Sequence, residues 1–123
     1  MLSKKIVKMV RRLFQMTQED KLQWQETGHE GVFQLGVDDY IIRVAKEHSD
    51  EAGAKKKYVL SICNAKGVVL EQVSNDEIGE HIHDAGEFIE DLYHRARRIA
   101  MGVETAIDRI TQRLEDEDAS EPL

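Results

Sequence analysis

The stretch from Asp84 to Leu114 constrains the fold more than any other part of the chain. Ile89, Leu92, Ala96, Ile99, Val103, Ala106 and Ile110 recur at spacings of three and four, and Phe88, Tyr93, Ala100, Ile107 and Leu114 widen the stripe. A period of 3.6 residues gathers them on one side of a helix, broad enough to lie half-buried against a core. Glu87, Glu90, Asp91, Arg95, Arg98, Glu104, Asp108, Arg109 and Arg113 occupy the other side. Asp91 and Arg95 stand at i, i+4 in the favourable order. The same spacing also fits a short coiled-coil seam, and with it self-association. Gly102 interrupts the stretch. A glycine inside a helix costs about 1 kcal/mol against alanine, so it marks a break or lets another backbone approach. Arg95, Arg97 and Arg98 before it suit a helix C-terminus, and Glu104 and Asp108 after it suit a new start. A broken helix and a straight one both remain compatible with the sequence.

Such a stripe needs a surface to cover, and the middle of the chain supplies one. Weak alternation at Lys21–Thr27 places Leu22 and Trp24 on one side. Phe33, Leu35 and Val37 alternate in Val32–Val37, and Tyr40, Ile42 and Val44 in Tyr40–Lys46. Gly28–Gly31 and Asp38-Asp39 read as the turns between them. These are half-buried antiparallel strands. Lys57–Asn64 and Gly67–Val73 form the clearest hairpin, joined through Asn64-Ala65-Lys66-Gly67 with the glycine at the left-handed position. Both runs are apolar on two faces for part of their length, which predicts a central place in the sheet. His48–Lys55 reads as a polar loop, Ser74-Asn75-Asp76 as a turn or helix start, and residues 76–84 as ambiguous.

Ahead of the strands, Ser3 to Gln18 predicts a first helix. Ile6, Val10, Leu13 and Phe14 form its apolar stripe, with Met9 at the edge; Lys4, Lys8, Arg11, Arg12 and Gln15 lie opposite. One helix, about five consecutive strands and a long or kinked C-terminal helix predict an α+β fold, with an antiparallel meander and helices on one face. The expected division is a single domain over 1–114 and an acidic, disordered tail over 115–123, where five acids and no base occur.

Composition narrows the function classes. The net charge of −7 is unevenly placed: residues 1–12 carry five bases and no acid, leaving 12 bases against 24 acids in the rest. An acidic body disfavours nucleic-acid binding, which needs a basic surface. The basic first helix is the element able to meet an anionic membrane or nucleic acid; the preferred reading is a helix packed on its own domain, with its Lys and Arg facing water or the acidic body. A single cysteine, Cys63, excludes an intramolecular disulfide and a cysteine-based zinc site, and fits a reducing, cytoplasmic setting. Residues 1–12 lack the apolar core of a signal peptide, and no run of 18 apolar residues occurs.

Local chemistry is sparse. His81, His83 and Glu87 offer two imidazoles and a carboxylate, a set that suits zinc or another divalent transition metal. The competing reading is a helix entry, with Asp84 as N-cap and Glu87 closing a capping box. No HExxH or paired ExxH accompanies them; Asp91 and His94 supply one carboxylate–imidazole pair where a di-iron bundle uses two. No GxSxG, P-loop or dinucleotide signature occurs, so no catalytic residue and no cofactor is expected. Arg95, Arg97 and Arg98, with Lys55, Lys56 and Lys57, are candidates for an anion site. Trp24, Phe33 and Tyr40 read as core rather than as a stacking platform. Val103, Ile107, Ile110 and Leu114, beyond Gly102, have less sheet left to meet and are the expected partner-binding residues. The leading expectation is a non-enzymatic interaction or regulatory module with a protein partner, which includes a second copy of itself. An anionic-surface binder and a metal-dependent enzyme follow in that order.

Overall fold

The computed structural model describes residues 4–47, 57–79 and 86–120. The order is α1 (Lys4–Gln18), β1 (Gln25–Glu26), β2 (Val32–Val37), β3 (Tyr40–Glu47), β4 (Lys57–Cys63), β5 (Val69–Ser74), α2 (Asn75–Gly79), α3 (Gly86–Ala100) and α4 (Val103–Ser120). The strands form one antiparallel sheet in the order β1-β2-β3-β4-β5, a meander as expected. α1 and α3 pack together over one face.

The period-2 pattern sets the two faces of the sheet. Phe33, Val44, Leu60 and Val73 stand in one crosswise row on the helix side. In the adjacent row Leu35 pairs with Ile42, and Ile42 with Ile62. Gln25, Gln34, Arg43, Ser61 and Gln72 form a polar row on the opposite face, one residue from each strand. Within it Arg43 Nε donates to Gln34 Oε1 at 3.3 Å, and Gln72 Nε2 to Ser61 Oγ at 3.2 Å. A one-residue slip would exchange these rows, so the register is strongly specified.

The helices close the core with the residues that their stripes predict. Ile89, Leu92, Tyr93 and Ala96 of α3 are buried, as are Val10 and Leu13 of α1. The rings of Phe14 and Phe88 join the helices edge to face at 5.0 Å, and Tyr93 meets Phe33 at 5.6 Å and Tyr58 at 5.2 Å. α1 ends in a Schellman turn: Lys21 N donates to Met16 O and Asp20 N to Thr17 O, with Asp20 left-handed at φ 57. The β4–β5 loop has its glycine where expected, Gly67 at φ 84, and Asn64 Oδ1 accepts from the backbone N–H groups of Lys66 and Val68.

The long C-terminal stretch is two helices. Gly102 adopts φ 64 and donates its N–H to Ile99 O, which ends α3. Its own carbonyl accepts from Ala106 N and starts α4. Arg98 and Glu104 form an ion pair across the break.

Several expectations differ from the structure. β5 is an edge strand, because a five-strand meander must end on one; Val69 to Gln72 are exposed. The expected first strand over Lys21–Thr27 contracts to Gln25–Glu26, since Lys21 serves the α1 terminus. Tyr40, expected in the core, is 51% exposed, and Val37 beside it 42%, where the sheet runs past its helical cover. Of the two readings of Ser74-Asn75-Asp76, a turn or a helix start, the structure has the helix, over Asn75–Gly79. Ser74 and Glu77 explain it: Glu77 N donates to Ser74 Oγ, and Ser74 N to Glu77 Oε1, a reciprocal capping box. The acidic segment after Leu114 continues α4 to Ser120, with Gln112 bonded to Asp116 and Arg113 to Glu117 at i, i+4.

Candidate functional site

Two surfaces stand out once the core is filled. The first is α4. From Glu104 to Asp118 every residue is exposed, and Ile107, Ile110 and Leu114 are 46%, 60% and 60% exposed. Val103 is half-buried at the junction with α3. The helical period places Ile107, Ile110 and Leu114 on one stripe. Asp108 and Glu115 share the flank beside it, seven residues apart. α4 carries six acids against two bases.

The second is an apolar groove of about 580 Å³ between α1 and the β2–β3 turn. Leu13, Leu22, Ile42 and Ile62 form its floor, and all four belong to or pack on the core. Met9 and Met16 line the α1 wall, with Lys5, Lys8 and Arg12 above them. Val37, Asp38 and Tyr40 form the opposite lip. α1 produces this arrangement because its period separates three sides. Val10, Leu13 and Thr17 are buried; Phe14 turns to α3; the methionines and the three cations face the groove. The long cationic stems add apolar surface while their charged ends reach water. No sequence signal marks this groove, since its lining comes from α1, the α1–β1 link and three strands.

The other candidates assemble less. Arg95 and Arg98 line a shallow cleft with Asp20 and Glu104, whose carboxylates oppose an incoming anion. Arg97 is exposed elsewhere on α3, and Lys57 pairs with Glu47 at 3.8 Å. The structure therefore joins two of the three arginines and sets acids among them. His81, His83, Asp84, Lys55 and Lys56 lie outside the described residues; Glu87 falls in α3. Among the described residues no group of three or more His, Cys, Asp or Glu side chains is placed to hold a metal ion. Cys63 is fully buried in β4.

One titratable cluster was not anticipated. Tyr58 Oη lies 3.4 Å from His94 Nε2, and His94 Nε2 lies 4.0 Å from Glu90 Oε1. Tyr58 is fully buried. Burial first, then the charge of Glu90, raises its hydroxyl above the ordinary 10.0. It therefore stays protonated at neutral pH, a hydrogen-bonding group at the core's edge rather than a nucleophile or base.

No helix among the described residues is long and apolar enough to cross a membrane. Val10 and Leu13 are buried, and Ile6 and Phe14 pack on the same core, so α1 uses its apolar side within its own chain. No protein-family model, curated protein or solved structure matches the chain.

Proposed function

We propose that this protein is a non-enzymatic interaction module that self-associates, with α4 as its contact helix. The observation that carries this reading is the exposure of Ile107, Ile110 and Leu114 on an 18-residue helix. In proteins most helical stability comes from tertiary packing of an apolar face rather than from propensity. Covering each half-exposed aliphatic side chain contributes about 1 kcal/mol, so the stripe gains by meeting a partner. Among the described residues the core is filled from α1, α2, α3, the sheet and the α1–β1 link, and no α4 side chain belongs to it.

The test is a chain that stops after Met101. It is expected to retain the circular dichroism and cooperative melting of a folded domain and to lose self-association in light scattering. If the shortened chain unfolds, α4 belongs to the folding unit. If it associates as the full chain does, the contact lies elsewhere. Either result removes the reading.

A further inference from the structure

The groove and α4 are complementary in polarity and sign, and among the described residues none of α4 lines the groove of its own chain. The groove is an apolar trough with cations along one wall; α4 is an apolar ridge with acids along one flank. The spacing also matches. Lys5 and Arg12 stand seven residues apart on α1, and Asp108 and Glu115 stand seven apart on α4. Both separations are two helical turns, about 10.5 Å along the axis. α1 carries five bases and no acid.

Among the described residues, α4 of the same chain contributes none to the groove. The left-handed Gly102, its hydrogen bonds to Ile99 and Ala106, and the Arg98–Glu104 pair set the direction in which α4 leaves α3. A second copy has no such restriction. Two surfaces of one chain that fit each other close most simply by reciprocal exchange around a two-fold axis.

We infer that the groove between α1 and the β2–β3 turn receives α4 of a second copy, each chain lending its helix to the other. This rests on the self-association reading and names its acceptor. Ile107, Ile110 and Leu114 lie on Met9, Met16 and Ile62 of the second copy. Asp108 and Glu115 face its Lys5 and Arg12. The β2–β3 lip with Tyr40 closes over the seated helix.

Two full-length double variants test it by sedimentation velocity. Lys5→Glu with Arg12→Glu reverses the groove rim, and Asp108→Lys with Glu115→Lys reverses the helix flank. All four residues are exposed, and circular dichroism checks that each variant is folded. Each variant alone is expected to dimerise at least about tenfold more weakly than the parent. An equimolar mixture is expected to regain the parent's affinity, since both exchanged contacts then pair opposite charges. A rim variant that dimerises as tightly as the parent overturns the groove as acceptor and leaves α4–α4 pairing, with self-association intact. Two weakened variants that fail to complement each other also overturn it. A parent chain that stays at the mass of one copy at every concentration removes the groove inference and the self-association reading together, whether α4 is free or folded onto its own groove.

Discussion

The indole Nε1 of Trp24 donates to Thr17 Oγ1 at 3.1 Å, and both side chains are buried. Thr17 in turn donates to the carbonyl of Leu13 at 2.7 Å. This relay ties the last turn of α1 to the chain entering β1, next to Leu22 on the groove floor. It also satisfies the polar atom of a residue whose bulk the core needs.

Thr17→Val keeps the shape of the side chain and removes the acceptor. The buried indole N–H is then left without a partner, which costs about 1–3 kcal/mol. Urea unfolding is expected to show a lower midpoint with an unchanged slope. An unchanged midpoint would mean that the bond contributes nothing.

Asp20 is a strained point on the same connection. It holds a left-handed φ of 57 at the C-terminal end of α1, where neither its Cβ nor its negative charge is favoured. Asp20→Gly is expected to raise stability by about 0.5–1 kcal/mol, seen as a higher thermal midpoint. A lower midpoint would show that its carboxylate has a stabilising role on the α3–α4 side.

Tyr58 makes stability pH-dependent in the alkaline range. Its folded value lies above the unfolded one, so the folded state holds the proton more tightly. The contribution is complete below pH 10.0 and is lost as pH rises from there through the folded value. Tyr58→Phe is expected to flatten the fall in urea midpoint above pH 10.0. Equal slopes in the two proteins would assign the alkaline loss to other groups.

Much of the fold was legible because periodicity reports burial directly. Leu22, Trp24, Phe33, Leu35, Ile42 and Val44, taken from alternation alone, all belong to the core or pack against it. Gly102 was legible as a possible break, and its left-handed φ makes it one. Val37 and Tyr40 were misplaced because alternation continues to the end of a hairpin, whereas helical cover stops sooner. β5 was misplaced because β-branched residues fit an edge as well as a centre; Val68, Val69 and Leu70 are exposed there. The helix start at Asn75 was legible as one of two readings of Ser74-Asn75-Asp76, and the pairing of Ser74 with Glu77 decides between them. Ile107, Ile110 and Leu114 were legible as surplus apolar residues and are exposed. The groove was not legible, because no local pattern unites Lys5, Arg12, Val37 and Ile62.

The central claim is that α4 holds a second copy, and light scattering of the full chain beside Ile110→Lys with Leu114→Lys tests it most directly. Both substituted residues are 60% exposed, so the domain is expected to stay folded. The parent is expected to approach twice its chain mass of 14.1 kDa as concentration rises, and the variant to stay at that mass. A parent that remains at 14.1 kDa, or a variant that associates equally well, contradicts the account.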